Sequence, residues 1–253
     1  MKPEFGFALS GGGVRGFAHL GVIKALSERG IEPGMISGVS AGAIVGVLLA
    51  DGYSADEVLR MLSELDLFKM LKIKARPLGL LKPEGFQQKL NEMLRAKSFE
   101  ELKIPFFVTA TNLHKAQAEV FSIGNLIDPV IASMSFPLVI RPHKLNGELY
   151  VDGGLMDNLP VHPLEEKVER IIGVYVNPVK DIPEKFKTRN YADRLVHIAL
   201  RANIMSSIEK CYWFIEPPGL LDNHLFKLTN ARSIFTVGYD YANYFLDSQL
   251  IQD

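Results

Sequence analysis

Along the chain, short apolar runs alternate with longer stretches of helical spacing. The segments "FGFAL" (5–9) and "GMISGV" (34–39) lack the strict polar alternation of a one-sided strand, so they read as strands buried on both faces. Between them, "AHLGVIKALSERG" (18–30) gathers its apolar residues at helical spacing and closes on Gly30, a helix stop. Further strand patterns follow at "IPFFVTATNL" (104–113), "AEVFSI" (118–123), "GELYVDGG" (147–154), "RIIGVYVN" (170–177) and "CYWFIEP" (211–217). Helical spacing recurs over 54–65, 84–95, 191–209 and 231–247. Strands interleaved with helices predict a three-layer α/β/α sandwich around a mainly parallel central sheet.

Composition narrows this picture without redirecting it. With 253 residues and 47% hydrophobic content, the chain can bury one full core, and a single domain over 1–253 is expected. Basic and acidic residues nearly cancel, 28 against 29, so no global field favours a polyanion and nucleic acid is not an expected partner. Cys211 is the only cysteine, and the start "MKPEFGFALSGGG" lacks the apolar run of a secretory signal, which makes the cytoplasm the default expectation. The apolar run "GAIVGVLLA" after Ser40 has nine residues, well short of the roughly 20 that span a bilayer. Membrane contact, if any, is then peripheral. The stretch "FKMLKIKARPLGLLK" (68–82) carries Lys69, Lys72, Lys74, Arg76 and Lys82 with no acid. It reads either as a lid or edge touching an anionic lipid surface or as a solvated basic loop.

Three glycine-bearing segments carry the candidate chemistry. In "GVSAG" (38–42), Ser40 stands between Gly38 and Gly42, where a strand ends and a helix begins. Such a turn exposes a serine as a nucleophile and leaves no room for side chains two positions to either side. The competing reading is an ordinary helix N-cap. Upstream, Gly11, Gly13 and Gly16 match G-x-G-x-x-G after a strand. A dinucleotide site would also need an acid at the end of the second strand, but that place is taken by Ser40, and Glu32 precedes the strand. The loop lacks the Gly-Lys-Ser/Thr ending of a P-loop as well. Its amides suit an oxyanion instead. The third segment, "GELYVDGGLMDNLPV" (147–161), runs a short strand into Asp152, followed by Gly153 and Gly154. Asp152 could act as base at a sheet edge, or merely close a turn. A Ser-acid-His order with His162, His197 or His224 is formally available too.

Together, "GGGVRG", "GVSAG" and "DGG" in that order resemble the patatin-like phospholipase family in its small bacterial form. "ASMSFPLVI" (132–140) and "DNLPV" (157–161) are similar to the segments that flank the family's aspartate, and the resemblance covers roughly residues 5–178. It implies a patatin-like fold and a serine hydrolase of lipid acyl esters (phospholipase A, lysophospholipase or carboxylesterase in type) with neither metal nor organic cofactor. Ser40 becomes the nucleophile, Asp152 its base, and Gly11, Gly12 and Gly13 the oxyanion hole. Arg15, Gly16, Gly38, Gly42, Gly153 and Gly154 become supporting positions, with Arg15 bracing the turn or contacting a substrate phosphate. One departure stands out: Ser10 occupies a place where many members carry an acid, which puts any side-chain anchor of the loop in question. The alternative is a non-catalytic acyl-binding or regulatory protein on the same fold.

Overall fold

The computed structural model describes residues 1–65, 72–73, 81–179, 191–222 and 231–250. The first half of the chain runs β1 (Phe5–Leu9), α1 (Phe17–Ser27), β2 (Met35–Val39), α2 (Ala41–Ala50) and α3 (Ala55–Ser63). A short pair, β3 (Lys72–Ile73) and β4 (Leu81–Lys82), then leads to α4 (Glu84–Met93), β5 (Phe106–Asn112), β6 (Gln117–Phe121) and α5 (Ile127–Ser133). β7 (His143–Leu145), β8 (Glu148–Asp152) and β9 (Arg170–Val174) follow, then α6 (Tyr191–Ala202), α7 (Met205–Ile208), β10 (Trp213–Ile215) and α8 (Ala231–Leu250).

β10, β9, β1, β2 and β5 form the parallel part of an eight-stranded sheet. β6, β7 and β8 extend it with antiparallel pairings beyond β2. The sheet is therefore mixed, and the glycine loop and Ser40 both follow strands of its parallel half. β1 shows why these strands are apolar throughout: Phe7 and Leu9 enter the large core with the helices, while Ala8 joins the smaller core on the opposite face. That second face is covered by the short turns around Val161 and Leu164 and by the start of α7 at Ile204. The helical pattern at 191–209 breaks at Asn203 and Ile204 into α6 and α7, and Ile204 is fully buried there.

α5 and β7 escaped the periodicity, as did the two-residue strands β3 and β4. α5 is only seven residues long and carries Pro129, which its third position tolerates because no intrahelical N–H bond is required there. β7 has three residues, too few to show an alternation.

The large core closes with α8, whose Ile234, Phe235, Ala242 and Leu246 join residues of α1, α2 and α3. α1 and α8 cross at two glycines. A Cβ on Gly21 would lie 2.0 Å from the Phe235 carbonyl oxygen, and one on Gly238 would lie 2.3 Å from that of Ala18. Both obstacles are backbone, so the helices could accommodate a methyl group only by separating. Gly21→Ala should therefore cost roughly 1–3 kcal/mol, as overpacking usually does. Thermal melts followed by circular dichroism should show a drop of several degrees, at about 2–4 °C per kcal/mol for a domain of this size. An unchanged melting temperature would show that the crossing is looser than this.

Candidate active site

Strand register brings the site together before any side chain is considered. On β5, Thr109 pairs with Val39 of β2, and the next residue, Ala110, pairs with Asp152 of β8. The chain leaving Val39 therefore emerges beside Asp152, and its first residue is Ser40. Ser40 Oγ donates to Asp152 Oδ2 at 2.5 Å.

The serine sits in a turn that a side chain would not choose freely. Its φ of 53° and ψ of −119° place a non-glycine residue in the left-handed half of the map, at a cost of about 1–3 kcal/mol. Although Ser40 occupies the N-cap position of α2, its side chain makes no capping bond. The helix-cap reading thus fails, and the hydroxyl is turned to the carboxylate instead. The flanking glycines are required by space: a Cβ on Gly38 would meet the Gly42 oxygen at 2.5 Å, and one on Gly42 would meet the Leu9 oxygen at 2.2 Å.

Asp152 is held on several sides. Its Oδ1 accepts the Gly154 amide at 2.8 Å, its carbonyl accepts the Thr111 hydroxyl at 3.0 Å, and its amide donates to the Ser135 carbonyl at 2.9 Å. Gly153 allows this turn to lie on β5, since a Cβ there would come within 2.2 Å of the Thr109 oxygen. Burial pushes the Asp152 carboxyl up from 3.8 to about 6, against the opposing pull of its bonds to Ser40 and the Gly154 amide. The carboxylate is thereby a stronger base than a solvated aspartate.

The glycine loop lies against the same turn. A Cβ on Gly16 would approach Ala41 Cβ to 2.8 Å, and one on Gly11 would lie 3.1 Å from Ser40 Cβ. Gly11, Gly12, Gly13, Ser40, Asp152 and Gly154 all line one cavity of about 450 Å³. The rest of its wall is largely apolar, with Phe17, Ile44, Val45, Leu62, Phe86, Phe136, Leu155, Val196 and Leu200 among the contributors. Arg15 is buried in the first turn after the loop, where its amide donates to the Gly12 carbonyl at 3.1 Å.

Two residues that motif reading passes over also hold the site. Ser133 Oγ accepts the Ser40 amide at 2.8 Å and donates to the Thr109 carbonyl at 2.7 Å, bridging the Ser40 turn to β5. Asn158, 2% exposed, fills the gap between Gly11 and Gly154, since a Cβ on either would lie 2.6 Å from its Oδ1. The signal for Ser133 lies in "ASMS", where small residues leave room for two converging turns.

None of the described histidines lines the cavity beside Ser40. His162 is exposed and lies 3.7 Å from Glu165. His197 is absent from the cavity wall although its neighbours Val196, Ala199 and Leu200 form part of it, and His224 lies outside the described residues. Among the described residues, no cluster of three or more His, Cys, Asp or Glu has the spacing to hold a metal ion. No described helix is long and apolar enough to cross a membrane. The basic stretch 68–82 lies outside the described residues apart from Lys72–Ile73 and Leu81–Lys82, and Leu81 lines the cavity.

A family model described as patatin-like phospholipase matches residues 7–165. The chain belongs to this family. It is 36% identical over 166 residues to an NTE family protein of Mycobacterium bovis, covering 64% of this chain and 46% of the relative. It is 32% identical over 197 residues to a protein named lysophospholipase NTE1 from Cryptococcus neoformans, covering 75% of this chain and 12% of the relative. The chain thus spans about half the length of the first of these curated relatives and far less of the second. In fold it resembles VipD from Legionella pneumophila, with a TM-score of 0.63 at 17% identity over 98% of this chain and 67% of that one. The type III effector ExoU gives a TM-score of 0.52 at 15% identity, covering 98% of this chain and 53% of that one. The patatin-like fold expected from the motifs is the fold observed.

The raised carboxyl of Asp152 predicts a stability signature. Folding favours its neutral form, so the folded state binds more protons than the unfolded state between about pH 4 and 6, and stability falls as pH rises through that window. At pH 7 the cost is about 3 kcal/mol, given about 1.4 kcal/mol for each tenfold change in proton affinity. Asp152→Asn should therefore unfold at higher denaturant than wild type at pH 7–8, and the gain should vanish below about pH 4. Equal or lower stability at pH 7–8 would show that the carboxylate is not an energetic burden.

Proposed function

We propose that the protein is a serine acyl hydrolase that cleaves carboxylic esters of single-chain lipids through a Ser-Asp dyad. The observation that carries this reading is the 2.5 Å bond from Ser40 Oγ to a buried carboxylate on the wall of an apolar cavity. Membership of the patatin-like family and likeness to a relative named lysophospholipase support the same direction.

In this scheme Ser40 Oγ attacks the ester carbonyl carbon while its proton passes to Asp152 Oδ2. The carbonyl oxygen becomes an oxyanion held by the amides of the Gly11–Gly13 loop, which line the cavity beside the serine. Collapse of the tetrahedral intermediate breaks the bond to the alcohol, which leaves with the proton from Asp152, and an acyl group remains on Ser40. Water then attacks that acyl-enzyme, giving its proton to Asp152, and the carboxylic acid departs as Ser40 recovers the proton.

The cavity, at about 450 Å³ with a largely apolar wall, falls in the ordinary range of small-molecule sites and suits an acyl chain. Leu138, 88% exposed at a φ of 66°, and the half-exposed Leu155 stand at its edge and offer an apolar path for a chain leaving a lipid surface. Peripheral contact with such a surface is part of the proposal.

Hydrolysis of a chain-length series of p-nitrophenyl esters by wild type, Ser40→Ala and Asp152→Asn tests this reading. Wild type should turn over with a preference for longer chains, while both variants, folded by circular dichroism, should lose at least about 1,000-fold in kcat, as nucleophile or base removal does elsewhere. Because the carboxylate is the active form, kcat/KM should fall as pH drops below about 6. That profile should persist in His162→Ala, His197→Ala and His224→Ala. An inert, folded wild type would favour the acyl-binding alternative, and loss of turnover in a histidine variant would replace the dyad by a triad.

A further inference from the structure

The carbonyls of the glycine loop are tied from behind, one after another. Ser10 follows β1 in register with β9, where a parallel ladder would have it donate to Val174 and accept from Val176. The first bond is present, with Ser10 N 3.1 Å from the Val174 carbonyl oxygen. The second goes elsewhere: the Val176 amide donates to Ser10 Oγ at 3.0 Å. The hydroxyl thus takes the place of its own residue's carbonyl in the ladder. That freed carbonyl turns away and accepts from His19 Nε2 at 2.8 Å. Burial lowers the His19 imidazole to about 4, so the ring is neutral and its Nε2 carries the hydrogen that this carbonyl requires.

The next carbonyl, that of Gly11, accepts twice. Ser10 Oγ donates to it at 3.0 Å, and Asn177 Nδ2 donates at 2.6 Å. The third, that of Gly12, takes the Arg15 amide at 3.1 Å. In a trans peptide the C=O and the following N–H point in opposite directions, so the bonds that hold these three carbonyls also fix the directions of the Gly11, Gly12 and Gly13 amides. Among the described residues, no backbone carbonyl accepts from the Gly11 or Gly12 amide. Asn177 itself is fully buried, and its Oδ1 has no hydrogen-bond partner among the described residues. Among the described residues, its one side-chain bond goes to the loop, which a packing role alone would not require.

We infer that Asn177 is a positioning residue: together with the Ser10 hydroxyl it clamps the Gly11 carbonyl so that the Gly12 amide is aimed at the oxyanion formed on Ser40. This rests on the acyl-transfer reading above. It also answers the question raised by Ser10 standing where an acid is usual, since a hydroxyl and an amide from the end of β9 do the anchoring here.

Asn177→Leu and the nearly isosteric Asn177→Asp test the clamp, the second because a carboxylate cannot donate to a carbonyl. The readouts are kcat and KM on a soluble p-nitrophenyl ester, the inhibition constant of a trifluoromethyl ketone with the same chain, and the melting temperature. The ketone forms an oxyanion on the serine and so reports the loop's aim directly. Deleting an oxyanion donor outright costs roughly 100- to 1,000-fold, so a misaimed one should lower kcat by at least about 10-fold. KM should move less than about threefold, and ketone affinity should fall in parallel with kcat/KM. A folded variant that keeps kcat and ketone affinity within about twofold of wild type overturns the inference. So does a kcat loss with ketone affinity intact, and so does failure of both variants to fold, since Asn177 would then be a structural residue. A wild type that neither turns over nor binds the ketone would instead defeat the acyl-transfer reading itself.

Discussion

The site depends on a hydrogen bond between a strained serine and a carboxylate with little access to water. Neither partner is comfortable alone. Ser40 holds a backbone conformation that costs free energy, and Asp152 keeps a charge where burial opposes it. Each is over-determined by its surroundings: Ser133 holds the amide of one, Ser135 and Gly154 hold the amide and carboxylate of the other, and β5 sets both in register. The fold spends some of its stability to keep a hydroxyl and a base in contact.

That arrangement draws on the parallel half of the sheet. The glycine loop follows β1, Ser40 follows β2, and Asn177 follows β9, so three adjacent parallel strands deliver a glycine loop, a serine and an asparagine to one edge. Asp152 arrives from the antiparallel side, where β8 pairs with the far end of β5. The mixed character of the sheet is therefore what lets a strand ending in a carboxylate point at a strand ending in a serine. The apolar wall comes from α1, α2, α3, α4, α6 and the segment 134–140.

Much of this was legible because the determining features are local. The strands at 5–9 and 34–39, the turn at Ser40 and the Asp-Gly-Gly end of β8 each follow from residues adjacent in sequence, and their order pointed to the family. The break between α6 and α7 was not, since Ile204 is buried by contacts with distant residues and nothing in the spacing announces it. Ser133, Asn158 and Asn177 were hidden for the same reason. Ser133 acts on Ser40, 93 residues away, Asn177 acts on Gly11, 166 residues away, and Asn158 bridges two turns that only the folded sheet brings together. A single small polar residue in a loop or at a helix end carries no periodic signal. Its partner appears only once the register of β1, β2, β5, β8 and β9 is known.

The central claim is that Ser40 becomes covalently acylated while Asp152 takes its proton. Rapid acid quenching of enzyme mixed with a medium-chain p-nitrophenyl ester, followed by mass spectrometry of the peptide containing Ser40, tests it most directly. An acyl adduct on Ser40 within the first turnover, strongly diminished in folded Asp152→Asn, is the expected result. Turnover without an adduct on Ser40, or acylation of Asp152→Asn at the wild-type rate, would contradict it.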